Sequence, residues 1–165
     1  MTDLHPDLEL IGWLVGTWEG SGARVWPGTE GATLAYEVTF GHDGRPFLSY
    51  LLRSWVLESD GTRGEPGPTE SGWWRKGPGT YDLEVVLAHP DGAVEVLVGR
   101  VAFKKIELTS DLVARTGSAT TGVTATSRLY GGVEGDLAYV VEQATAEVPL
   151  QPHLSARLSP QPPTT

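Results

Sequence analysis

Four imidazoles, at His5, His42, His89 and His153, are the side chains of this sequence best suited to bind a metal or move a proton near neutral pH. Cysteine is absent, which removes disulfides, thiol nucleophiles, thiolate metal sites and thiolate-ligated haem. His5 falls in an N-terminal stretch expected to fray. His42 and His89 stand beside turn signals, His42-Asp43-Gly44 and His89-Pro90-Asp91-Gly92, and are expected at exposed hairpin tips. His153 differs, because it opens a late strand between Pro152 and the alternating run Leu154-Ser155-Ala156-Arg157-Leu158. Leu154, Ala156 and Leu158 form the apolar side of that strand, and His153 shares its face with Ser155 and Arg157. Two readings stand: an exposed or packing histidine, or a ligand turned into the polar interior of a small barrel. Alternation alone does not decide which face is in. If the metal were haem iron, the available ligands would be His, Tyr or the lone methionine, Met1. His153 would be the natural proximal ligand, with its second nitrogen held by an acceptor.

Other catalytic patterns are missing. There is no G-x-S-x-G elbow, no H-E-x-x-H and no glycine-rich phosphate loop between a strand and a helix. Glu19, Glu37, Glu70, Glu84, Glu95, Glu107 and Glu142 fall mostly on the polar side of alternating strands and read as solvated barrel surface, with no acid pair standing out. The tryptophans at 13, 18, 26, 55, 73 and 74 read as core or barrel plugs that could also wall a ligand.

The elements that position these residues are strands. Helical spacing is confined to Asp7–Val15, with Leu8, Ile11 and Val15 on one face and Asp7 as a cap. Beyond Trp18 the period is two. Strands are expected near 18–26, 33–41, 46–57, 70–76, 83–87, 94–98, 103–109, 111–117, 122–130, 136–146 and 152–158, with turns such as Pro78-Gly79 and Gly131-Gly132 between them. About ten short strands without intervening helices predict an all-β, antiparallel up-and-down β-barrel with one short N-terminal helix, because closure removes exposed edges. A two-sheet sandwich is the rival. Glu58–Thr69 reads as the longest loop, residues 1–158 as a single domain, and 159–165 as a disordered tail.

At 165 residues one core suffices without metal or disulfide staples. The net charge of −9, with twelve Lys and Arg, disfavours a nucleic-acid partner. No apolar run approaches eighteen residues, and the N-terminus lacks the pattern of a signal peptide, so a cytoplasmic protein without a membrane partner is expected. Oligomeric state is left open, a homodimer included.

Gly16-Thr17-Trp18-Glu19-Gly20-Ser21-Gly22 combines close backbone approach with a large apolar plug, and this G-x-W-x-G-x-G pattern resembles the nitrobindin family. Further similar steps follow in order: Trp26-Pro27, Tyr36-Glu37, Gly44-Arg45-Pro46-Phe47-Leu48-Ser49-Tyr50, Glu70-Ser71-Gly72-Trp73-Trp74-Arg75, Val123 with Arg128, and Pro149-Leu150-Gln151-Pro152-His153-Leu154. The resemblance implies a ten-stranded, calycin-like barrel, similar in outline to fatty-acid-binding proteins, with haem b near its mouth and His153 as proximal iron ligand and catalytic centre. It implies isomerisation of peroxynitrite to nitrate at ferric haem, with nitric oxide as a second small ligand. The family's haem-side threonine corresponds to Thr29 after a shift, or to Gly28 by strict counting. Pro68-Thr69 and Thr121 replace a histidine and a lysine common in the family. Two other functions fit such a barrel: a non-enzymatic carrier of an apolar ligand, or a haem or nitric oxide carrier or sensor without turnover.

Overall fold

The computed structural model of the protein describes residues 2–164; Met1, the one methionine among the haem-ligand options, and Thr165, the end of the tail, lie outside the described residues. Eleven strands follow two short helical turns. They are β1 (Gly16–Arg24), β2 (Ala32–Gly41), β3 (Leu48–Leu57), β4 (Arg63–Pro66), β5 (Glu70–Lys76), β6 (Asp82–Ala88), β7 (Ala93–Ala102), β8 (Lys105–Arg115), β9 (Val123–Val133), β10 (Asp136–Thr145) and β11 (Gln151–Pro160). All pairings are antiparallel and mostly join sequence neighbours, while β1 pairs with both β2 and β11. Ten strands therefore form a closed barrel, and β4 is a short flap on the end of β3.

The N-terminal helix forms as two 3₁₀ turns, Pro6–Leu8 and Gly12–Leu14, and not as an α-helix. So short a segment, interrupted by Gly12, cannot repay α-helix nucleation. The buried face follows the three-residue period: Leu8, Ile11 and Leu14 are buried, and Val15 is exposed. Asp7 does not act as the cap; its backbone N–H donates to His5 Nδ1 at 3.1 Å. These turns meet the barrel at Trp18, whose buried Nε1–H donates to Leu14 O at 2.8 Å.

Two segments differ from the expected strands for local reasons. The stretches 103–109 and 111–117 merge into β8, and the alternation breaks because Val96 pairs with Leu112 while Leu97 pairs with Ser110, leaving Asp111 as an extra residue. The loop 58–69 carries β4. At the other end, β11 continues past Leu158 because Ser159 and Pro160 pair with Glu19 and Trp18, and Gln161 N donates to Thr17 O at 2.8 Å.

The seam between β1 and β11 explains two of the early glycines. A Cβ on Gly20 would lie 2.2 Å from Arg157 O, and one on Gly22 would lie 1.7 Å from Ser155 O. Both obstacles are backbone atoms, so the strand itself would have to shift. Inside, Trp74 meets Tyr130 edge to face at 5.0 Å, and Tyr130 stacks on Tyr139 at 5.4 Å, giving a largely aromatic centre. Gly22→Ala is expected to destabilise the protein by about 3 kcal/mol or more. Denaturant unfolding checks this, and an unchanged midpoint would contradict the close-approach account.

Candidate functional site

His153 owes its position to an irregularity in β11. Across the β10–β11 pair, Val141 opposes Leu154 and Glu142 opposes Pro152, so His153 has no partner and is the bulged residue. A bulge re-aims a side chain. Here it puts His153 and Leu154, neighbours that simple alternation would send to opposite faces, along the same cavity of about 270 Å³. On the other edge Val25 N donates to His153 O at 2.9 Å, and the imidazole returns the contact, with Nδ1 3.1 Å from Val25 O. A carbonyl only accepts, so Nδ1 carries the proton and Nε2 keeps its lone pair. Burial pulls the His153 pKa below the ordinary histidine value, which keeps the ring neutral. Trp26 packs edge to face against it with ring centres 5.5 Å apart.

Thr29 lies in the exposed turn after Trp26. Its hydroxyl donates to Trp26 O at 2.8 Å, its backbone N–H reaches the same oxygen at 3.2 Å, and Gly28 supplies the positive φ of +76° that the turn needs. Thr29 thus supports the segment that carries Trp26 and is not among the residues around the His153 cavity.

The floor of the same cavity is a buried charge cluster. Arg128, on β9, binds Glu70 on β5 through two parallel contacts, Nη1 to Oε1 at 2.6 Å and Nη2 to Oε2 at 3.0 Å. Its Nη2 also donates to Oε2 of Glu95, on β7, at 2.8 Å, and its Nη1 to the Tyr130 phenol oxygen at 3.1 Å. Tyr50 donates to Glu70 Oε1 at 2.7 Å, and Thr126 donates to Glu95. His89 completes the group, with Nε2 2.5 Å from Glu95 Oε2 and Nδ1 3.7 Å from Glu70 Oε2. Burial works against ionisation of both carboxylates, yet Arg128 and their hydrogen bonds win: Glu95 is held down at about 2 and Glu70 below the usual carboxylate range. For His89, burial again opposes the charge, but the Glu95 hydrogen bond and the pull of both carboxylates raise its pKa above the ordinary value.

Three expectations are corrected here. His89 is not an exposed hairpin tip; its turn closes over the cavity, with His89 N donating to Ala93 O at 2.9 Å, and its ring points inward. Glu70 and Glu95 are not solvated surface, being 7% and 2% exposed, and they form the acid pair that alternation did not reveal. The available signal was companionship: Glu95 shares its face with buried Leu97, and Glu70 shares its face with buried Trp74. His42 is half-buried, and His5 caps the first turn; neither joins the cavity. A larger hollow of about 510 Å³ lies over Gly22, Gly131 and Ala138 and contains no cluster of titratable groups of this kind.

The donor set fits haem. A neutral imidazole with Nδ1 anchored and Nε2 free is the usual protein ligand for haem iron, and Trp26, Val141 and Leu154 supply apolar surface beside it. A closed antiparallel barrel with such a cavity among its strands defines the class of small ligand-binding β-barrels. The chain belongs to the family described as THAP4-like, heme-binding beta-barrel domain, whose model matches residues 7–159, and haem is its cofactor. It is 44% identical to a ferric nitrobindin-like protein of Streptomyces griseus, over 95% of this chain and 83% of that protein. Identity is also 44% to a peroxynitrite isomerase of a Nocardioides species, over 94% of each chain. The crystal structure of Rv2717c from M. tuberculosis superposes with a TM-score of 0.86 at 34% identity, covering 97% of this chain and all of that one.

Removing Arg128 would leave two buried carboxylates without their cation, so Arg128→Leu is expected to cost roughly 3–5 kcal/mol, measured by urea unfolding. The cluster also gives stability a two-sided pH dependence. The Glu95 contribution is complete above its ordinary 4.5 and disappears as pH falls towards 2; that of His89 is complete below 6.5 and disappears as pH rises through its raised pKa. Urea midpoints across this range should fall at both ends in the wild type, and the alkaline fall should be absent in His89→Gln.

Proposed function

We propose that this protein holds haem b through His153 and isomerises peroxynitrite to nitrate at the ferric centre, binds nitric oxide at the same group, and works in the cytoplasm. The observation that carries the reading is the bulged His153, with Nδ1 committed to Val25 O and Nε2 free beside the cavity. The relatives of similar length named peroxynitrite isomerase support the reaction assigned. Held by His153, haem would supply the iron chemistry by which a peroxidic anion is isomerised.

The chain's own part is ligation, orientation and exclusion. His153 offers a neutral nitrogen because burial keeps protons off the ring, and Val25 O fixes the tautomer and the ring plane. Trp26, Val141 and Leu154 limit access of water to the ligand side. Thr29 acts at one remove: its hydroxyl is committed to Trp26 O, and it braces the turn that holds the Trp26 ring beside His153. Peroxynitrite and nitrate have the same atoms and the same charge, so the reaction requires no net proton transfer. The carboxylates below are accordingly free to remain ionised and paired with Arg128.

Haem-reconstituted wild type and His153→Ala distinguish the readings. The variant is expected to shift the Soret band and to lose more than about tenfold in peroxynitrite isomerisation measured as nitrate yield. Identical Soret bands would remove His153 as the ligand. Haem binding through His153 without extra nitrate would identify a carrier or sensor instead.

A further inference from the structure

The buried cluster shares its cavity with His153, and its charges do not cancel unless His89 carries a proton. Glu70 and Glu95 contribute two negative charges and Arg128 one positive charge, all within a network of direct hydrogen bonds. Building on the haem reading above, we propose that His89 is a positioning residue that sets the affinity of the His153 pocket for anionic ligands: protonated, it makes the cluster neutral and admits an anion; neutral, it leaves one net negative charge that repels the anion.

Geometry supports this in three respects. The cluster and His153 line one cavity of about 270 Å³, and the barrel wall limits the water that could screen one from the other. His89 bridges both acids, with 2.5 Å to Glu95 and 3.7 Å to Glu70, so its proton is held where it neutralises the pair. The ionisable groups facing it are Glu70 from β5, Glu95 from β7, Arg128 from β9, Asp91 from its own turn and His153 from β11. Among them the anchored, neutral His153 adds no charge, the solvent-exposed Asp91 carboxylate stands outside the hydrogen-bonded network where water screens it, and Arg128 stays charged because its pKa is pushed further up. The Glu95 hydrogen bond and the pull of both carboxylates raise the His89 pKa, so the change of state lies above the ordinary histidine value. A substrate that is itself an anion would thus meet a pocket whose charge follows the surrounding pH.

Azide titrations of the haem-reconstituted protein, read in the visible spectrum between about pH 6 and pH 8.5, test the proposal. In the wild type, the azide Kd should rise about tenfold across the His89 titration, beyond any slope seen in His89→Gln. His89→Gln should bind weakly with a flat profile. The double variant His89→Gln with Glu95→Gln removes one negative charge and should restore tight binding, still flat. Restoration separates charge from a merely structural role. Equal slopes in wild type and His89→Gln, or a double variant no tighter than the single one, would overturn the proposal. If a variant does not fold, NMR titration of His89 in the haem-free wild type decides: an imidazole titrating at or below 6.5 overturns it. The Soret comparison with His153→Ala tests ligation independently, so failure of the haem reading and failure of this one give different results.

Discussion

The guanidinium of Arg128, shared between Glu70 and Glu95, is the constraint around which the barrel is arranged. Three alternate strands, β5, β7 and β9, send these side chains inward to meet, fixing the barrel's cross-section at that level. A buried ion cluster adds little net stability compared with apolar packing, because desolvation consumes most of the attraction. Its value lies in geometry. A bidentate guanidinium has one acceptable place, and a register slip in any of the three strands would leave a charge without its partner.

That constraint divides the interior. On one side lie the packed rings of Trp74, Tyr130 and Tyr139, a dry aromatic core. On the other is the cavity bounded by His89, His153 and the two carboxylates. Tyr50 and Tyr130 join the halves, each giving its ring to the core and its hydroxyl to the cluster. Every atom of the two carboxylates that faces the cavity has a donor. The floor therefore keeps no acceptor unpaired towards the cavity, while its net charge still follows the state of His89.

Much of this was legible from residue order. Period-two runs and Asp-Gly turns indicated a closed antiparallel barrel, and Trp18 between glycines indicated a sealed start. His153 stood apart by its place at the start of a strand, but eliminating the other histidines as turn or terminal residues failed for His89, whose ring enters the same cavity. What escaped was the facing of individual residues. The bulges at Asp111 and His153 reset alternation locally, and no one-dimensional pattern marks where an extra residue will be taken up. Glu70, Glu95 and His89 were misread because each looks solvated when considered alone. Their burial depends on Arg128, which lies 58 residues from Glu70 and 33 from Glu95.

The contact between His153 and Val25 joins the last strand of the barrel to the end of the first, with 128 residues between them. The donor nitrogen is therefore oriented only when the ring of strands closes. A chain still emerging from the ribosome, or one lacking β11, has no oriented imidazole to offer, however much of the remaining sheet has formed. With His153 as the proposed ligand, cofactor loading would act as an inspection of the finished product, marking molecules whose two ends have met and leaving incomplete ones blank.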